Sequence, residues 1–351
     1  MRAFFWGGCV ALGVLVSCNA ILGNEDGRLG ADAGSGGVAA SDAGGNGGTA
    51  ASGAGGTGGG LSGAGGTSGG GTGGAGGSGG SDGGEPTLGR ACTADADCGG
   101  LTCLTASSGT LDGGGPAKGL CTTSCASDLG CQGLGTNATC LEYTAGAGYC
   151  FENCTLGNPG PNFLKSKCQG RPEMACSPQS NDGVTLSGSV CVPQCNGDED
   201  CGDLLHCDPK SGLCRTTAPA GKSLGEKCTD GGSSECTGNC APSVNPGSSV
   251  PFTYTCTQNC TIGALPQCGW DGAGKAPGFC LITSLLNSSP GVGDQGLCVQ
   301  LCSCNSDCGN PDLVCRALNS SGLETALGQH GYCHTPVNED GGTDPGITAC
   351  N

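Results

Sequence analysis

The sequence predicts small disulfide-rich repeats: short β-hairpins, turns and loops with little helix, forming an elongated array behind a disordered glycine-rich linker. Three observations carry this expectation. First, thirty of the thirty-two cysteines lie from Cys92 to Cys350 and group into quartets: Cys, short gap, Cys, short gap, Cys, longer gap, closing Cys. An even count in quartets is the composition of a disulfide framework, and it belongs outside the reducing cytosol. Second, no apolar run keeps a helical or strand period for long, so neither a doubly wound sheet nor a barrel is available. Third, only nine aromatic residues follow the N-terminal segment: Tyr143, Tyr149, Phe151, Phe163, Phe252, Tyr254, Trp270, Phe279 and Tyr332. They are too few to seed one large core. Stability must come chiefly from crosslinks, each contributing about 2–4 kcal/mol.

Residues 1–17 read as a leader. Met1 and Arg2 precede fourteen apolar or small residues, Ala3 to Val16. That charge-then-hydrophobe layout is that of a secretory signal peptide, and it is shorter than the roughly 20 residues a permanent membrane helix needs. Its end, Leu15-Val16-Ser17-Cys18, resembles the lipobox of bacterial lipoprotein signal peptides. The resemblance implies cleavage after Ser17, diacylglyceryl attachment to the Cys18 thiol and N-acylation of the new terminus. Two or more acyl chains hold a protein durably on a membrane. Cys9 leaves with the leader. With Cys18 lipidated, an even thirty cysteines remain. The competing reading is an ordinary secretory leader whose cleavage site happens to include a cysteine.

Residues 18–85 form the anchor and a tether of Gly, Ala, Ser and Thr, without aromatic residues. Such a segment cannot bury enough surface to offset its backbone entropy and is expected to be disordered. About 60 residues of Gly/Ser coil reach roughly 40–45 Å, enough to clear a lipid headgroup layer.

Residues 86–214 form a first block of four units: Cys92/Cys98/Cys103/Cys121, Cys125/Cys131/Cys140/Cys150, Cys154/Cys168/Cys176/Cys191 and Cys195/Cys201/Cys207/Cys214. Residues 215–227, with Pro219 and Gly221, read as a linker. Residues 228–351 form a second block of three units and a C-terminal cap: Cys228/Cys236/Cys240/Cys256, Cys260/Cys268/Cys280/Cys298 and Cys302/Cys308/Cys315/Cys333. The blocks read as duplicates. Leu88-Gly89 before Cys92 matches Leu224-Gly225 before Cys228, and Asn153-Cys154-Thr155 matches Asn259-Cys260-Thr261. Self-similar units suggest an array in which each touches mainly its neighbours. Closing cysteines follow Gly and one apolar residue, as in Gly119-Leu120-Cys121 and Gly331-Tyr332-Cys333, which suits a tight turn before a short strand. Each quartet allows three connectivities, and the spacing does not choose among them. First-to-third with second-to-fourth is preferred, because interlaced loops hold a coreless unit more tightly than separate ones.

The Asp198-Glu199-Asp200-Cys201 segment, with Cys207 and Gly212-Leu213-Cys214, resembles EGF-like and Dickkopf-N-terminal-like cysteine-rich modules. The resemblance covers single units. It implies an architecture and no particular ligand, because such modules serve many binding roles. Cys304 and Cys350 fall outside the grammar, and both belong to the terminal unit. They are expected to bond to each other and fold the tail back as a cap, since terminal repeats need an atypical closing element.

The chemistry allowed is narrow. Without Arg2 the chain carries twelve Lys and Arg against thirty Asp and Glu, a formal charge near −18. That charge repels nucleic acid and anionic lipid surfaces. No Cys-x2-Cys knuckle exists, which argues against thiolate zinc sites and thioredoxin-like redox chemistry. Of the three histidines, His206, His330 and His334, the last two read as a solvated pair at a strand end. Asp95, Asp97, Asp198, Asp200 and Asp307 lie in equivalent loops and are candidates for weak calcium sites. Asp before a turn also caps its own backbone without an ion, and capping is the preferred reading. No nucleophile elbow, P-loop or dinucleotide fingerprint marks an enzyme, and no catalytic residue, metal or cofactor is assigned.

The sequence therefore points to an envelope lipoprotein, at the outer membrane or cell surface, with a binding, adhesion or structural role. Its partners are the membrane, through the lipid, and a protein or glycan ligand. The alternative is a protease inhibitor, for which Lys165-Ser166-Lys167-Cys168 is the loop to inspect. A secreted enzyme ranks third.

Overall fold

The computed structural model describes residues 88–134, 138–144, 147–157, 167–180, 186–229, 234–244, 251–282, 290–338 and 341–350. The leader with Ser17 and Cys18, and the tether, lie outside them. The fold is a succession of short antiparallel strand pairs stapled by fifteen disulfides. Unit 1 pairs β1 (Thr102–Leu104) with β2 (Leu120–Thr122). Unit 2 orders β3 (Ser124–Cys125), β5 (Ala147–Glu152) and β4 (Ala138–Thr144). Unit 3 pairs β6 (Met174–Ser180) with β7 (Leu186–Pro193), and unit 4 pairs β8 (His206–Asp208) with β9 (Leu213–Arg215). Unit 5 orders β10 (Lys227–Cys228), β12 (Pro251–Thr257) and β11 (Asn239–Val244). Units 6 and 7 share a five-stranded sheet of β13 (Asn259–Thr261), β14 (Gly278–Ile282), β15 (Gln295–Cys302), β16 (Val314–Ala317) and β17 (Gly331–His334).

One register recurs in every unit. The third and fourth cysteines stand directly opposite each other on the hairpin: Cys103 and Cys121, Cys140 and Cys150, Cys176 and Cys191, Cys207 and Cys214, Cys240 and Cys256, Cys280 and Cys298, Cys315 and Cys333. Opposed residues of an antiparallel pair project from the same face. Both sulfurs therefore leave the same face of the hairpin, where the first and second cysteines of their unit meet them. The first-to-third and second-to-fourth bonds result in all seven units, as in Cys92–Cys103 with Cys98–Cys121. Glycines allow the close approach this needs. Gly119 has a φ of 73°, and a Cβ there would meet the Cys92 carbonyl oxygen at 2.0 Å; one at Gly331 would meet the Arg316 carbonyl oxygen at 2.3 Å.

Equivalent hydrogen bonds recur at the matching positions of the two blocks. Gly89 N donates to Cys121 O (2.9 Å) and Cys121 N to Arg90 O (2.8 Å); Gly225 N donates to Cys256 O (2.8 Å) and Cys256 N to Glu226 O (2.8 Å). The hydroxyls of Thr122 and Thr257 donate to the carbonyls of Cys150 (2.6 Å) and Cys298 (2.7 Å), each closing the following unit. Among the described residues the only α-helix is α1, Ser321–Leu327, started by Ser320 accepting from the Leu323 amide and stopped by Gly328 in left-handed conformation. No helix of the described residues is long and apolar enough to cross a membrane.

Burial divides into seven separate clusters, five of them made mostly of cysteines. The first draws on the whole first block: Leu104, Leu111 and Leu120 of unit 1, Phe151 between units 2 and 3, Met174 and Val190 of unit 3, and Leu213 of unit 4. Contacts also link units distant in sequence. Arg171 of unit 3 is buried and donates to the Gly89, Ala117 and Gly119 carbonyls of unit 1 at 2.7, 3.0 and 2.8 Å. Asn310 of unit 7 is buried and donates to the Tyr254 carbonyl of unit 5 at 3.2 Å.

Candidate functional site

The acidic loops form tight turns between the first and second cysteines. Asp97 Oδ2 accepts from the Thr93 and Ala94 amides (2.8 and 3.0 Å) and the Thr93 hydroxyl (2.9 Å). Asp200 Oδ2 accepts from Asn196 N at 3.0 Å, and Asp307 Oδ2 from Ser303 N at 2.8 Å. The acid at the start of each turn reaches further, to the amide of the third cysteine. Asp95 accepts from Cys103 N (2.7 Å), Asp128 from Cys140 N (2.8 Å) and Asp198 from Cys207 N (2.8 Å). Asn305 does the same for Cys315 N at 2.9 Å, which explains why an amide side chain substitutes there. These side chains tie each turn to its hairpin. The Thr93 amide holds the Asp97 carboxyl below the usual range. Partial burial works upward on Asp198, but hydrogen bonds from His206 and the Cys207 amide leave it below the usual range.

Close groups of cysteine sulfurs, such as Cys92, Cys98 and Cys103, occur within units. Each sulfur is in a disulfide and is not the thiolate that binds zinc.

The histidines separate. His206 Nδ1 lies 2.8 Å from Asp198 Oδ2 at the surface, and half-exposed His330 lies 3.8 Å from Glu324. His334 does not form a solvated pair with His330. Strand alternation puts it on the same face of β17 as Tyr332, with ring centroids 5.8 Å apart. Its Nδ1 and the neighbouring Arg316 Nε are buried without hydrogen-bond partners. Burial and the Arg316 charge depress the His334 pKa to about 4.

Cys304 and Cys350 are bonded, with Cα atoms 5.0 Å apart. The tail lies along unit 7, where Asn305 N donates to Ile347 O (2.8 Å) and Ile347 N to Cys315 O (2.9 Å). Lys165 and Ser166 lie outside the described residues. Lys167 is buried, which takes it out of reach of a protease pocket.

Lys167 belongs instead to a contact between the blocks that the sequence reading missed. Unit 3 uses no carboxylate of its own for the amide of its third cysteine: Cys176 N donates to Gly293 O of unit 6 at 2.8 Å. The next residue, Asp294, is fully buried. Its Oδ2 accepts from Gly157 N (2.9 Å) and Gly291 N (2.8 Å), and its Oδ1 contacts Lys167 Nζ. Lys167 Nζ also donates to Gly157 O at 2.6 Å. Desolvation lowers the Lys167 pKa, against the opposing pull of Asp294. A second contact between the blocks runs from unit 6 to unit 4, where Asn259 N donates to Pro209 O (2.9 Å) and Asn259 Nδ2 to Lys210 O (2.7 Å). The only local hint was an acid following glycine in Gly291-Val292-Gly293-Asp294, a pattern too common to single out. No protein-family model matches this chain, and no curated protein or solved structure is similar to it.

Proposed function

We propose that this protein is a lipid-anchored component of a bacterial cell envelope that holds disulfide-stapled blocks away from the membrane on a glycine-rich tether. Its role is to bind a protein or glycan ligand, in adhesion or envelope organisation, and not to catalyse a reaction. The observation that carries the anchor is Leu15-Val16-Ser17-Cys18 at the end of an apolar leader. Cysteine parity supports it: all thirty cysteines from Cys92 to Cys350 have partners within the chain, so none needs Cys18. A binding role is supported by the surface chemistry. Most carboxylates of the acidic loops serve the backbone, while exposed Leu129 and Leu204, 73% and 92% accessible, stand on disulfide-braced loops beside acidic residues.

Feeding cells an alkyne fatty acid should label the full-length protein, and Cys18→Ala should abolish the label and release the protein from the membrane. Label retained by the variant would sink the anchor. The released full-length variant then serves as bait against envelope extracts and, in parallel, against a protease panel. Saturable binding to one envelope component supports the reading; stoichiometric inhibition of a protease replaces it.

A further inference from the structure

None of the fifteen disulfides joins the first block to the second. Where the blocks meet, an amine and a carboxyl are pressed together away from water: the side chains of Lys167 and Asp294 are 4% and 0% accessible. Keeping two ions there carries a desolvation penalty that their attraction only partly offsets. Burial favours the free amine over the ammonium at Lys167, and desolvation lowers its pKa.

The surroundings are arranged for acyl transfer. One carboxyl oxygen, Oδ1, touches Nζ, while the other, Oδ2, receives two backbone N–H groups, from Gly157 at 2.9 Å and Gly291 at 2.8 Å. Two amides converging on one oxygen within about 2.7–3.1 Å form the geometry of an oxyanion hole. The Gly157 carbonyl, 2.6 Å from Nζ, orients the amine by accepting one of its hydrogens. Holding the two groups in contact removes most of the entropic barrier to their condensation.

We propose that Lys167 and Asp294 condense into an isopeptide bond, a covalent staple between the two blocks. The ammonium first passes a proton to Oδ1, leaving a neutral amine and a carboxylic acid. The Nζ lone pair attacks Cγ, and the carbonyl electrons move onto Oδ2, where the Gly157 and Gly291 amides hold them. A second Nζ proton moves to Oδ1, the carbonyl re-forms, and Oδ1 departs as water. The third Nζ hydrogen stays on the new amide. No oxidant, reductant or other reactant is required. The product suits the site better than the ions did. Its N–H can keep the Gly157 carbonyl, its oxygen can keep both backbone amides, and no charge remains buried.

The test uses the full-length protein purified from its membrane, reduced, alkylated and digested with trypsin. The expected product is a branched peptide carrying both Lys167 and Asp294, lighter than its two parts by one water and resistant to reductant. Lys167→Arg, which keeps the positive charge but replaces the amine, should yield only the two separate peptides. Unbranched peptides of full mass from the wild-type chain would overturn the proposal and leave an ion pair. Water loss without a branch, or a branch at a different lysine, would overturn it equally.

Discussion

Arg171→Met tests how units distant in sequence are held together. The Arg171 side chain is 8% accessible and spends four hydrogen bonds: Nε to Glu173 Oε1 at 2.9 Å, Nη1 to Gly89 O at 2.7 Å, and Nη2 to Ala117 O and Gly119 O at 3.0 and 2.8 Å. Methionine keeps much of the volume and removes every donor. Three carbonyls then lose a partner, and the Glu173 carboxylate, 3% accessible, loses its closest cation. Breaking a buried pair on one side costs about 3–5 kcal/mol. Lys118 Nζ, 3.5 Å from Glu173 Oε2 but half exposed, compensates in part. The loss should therefore be about 3–4 kcal/mol. With an unfolding slope of about 3 kcal/mol per molar in guanidinium, the midpoint should fall by about 1 M. The assay is equilibrium unfolding at neutral pH with disulfides intact, read beside hydrogen exchange at the Gly89 and Cys121 amides, which pair where Arg171 grips unit 1. Adding Glu173→Gln should recover part of the loss, because the orphaned charge is gone. A fall below about 1 kcal/mol, or unchanged exchange at Gly89, would show that Arg171 does not clamp unit 1 to unit 3.

Two further outcomes follow from the terminal unit. His334 has its pKa depressed to about 4 from an ordinary 6.5 by burial and the Arg316 charge, so between those values the unfolded chain binds the proton more tightly. Its contribution is therefore complete above pH 6.5 and lost as pH falls toward 4, up to about 3 kcal/mol in all. His334→Phe should flatten the stability-versus-pH curve in that window; an unchanged slope would assign the acid sensitivity elsewhere. Cys350→Ser should release the tail, with exchange protection at the Asn305 and Ile347 amides falling by about 2–4 kcal/mol while units 1 to 6 stay unchanged. Persistent protection at Ile347 would mean that packing alone holds the cap.

What the sequence determined by itself lies within a few residues of each cysteine. Quartet spacing implied the units, the Gly-apolar-Cys endings implied short strands after turns, and acids ahead of the second cysteine implied caps. These signals are legible because an Asx cap, a positive φ or a hairpin closing is set by neighbours along the chain. The choice of disulfide partners needed one more level. Spacing left three pairings open for each quartet, and only the folded unit fixes first-to-third with second-to-fourth around the hairpin that sets the third cysteine opposite the fourth.

Tertiary structure alone decided everything that passes between units. Leu111, Phe151, Val190 and Leu213 come from four different parts of the first block and share one cluster, with no periodicity to announce it. His334 looked solvated beside His330 until β17 laid it against Tyr332 and Arg316. Lys167 looked like an exposed basic loop residue, yet it lies buried against an acid 127 positions away. The Cys176 amide shows the distinction most plainly: its counterparts at Cys103, Cys140 and Cys207 are satisfied by an acid of their own unit, whereas Cys176 relies on Gly293 of the other block. A buried amide must find an acceptor somewhere. A local sequence pattern reveals that acceptor only when it lies nearby in the chain; otherwise the packing of one block against the other supplies it.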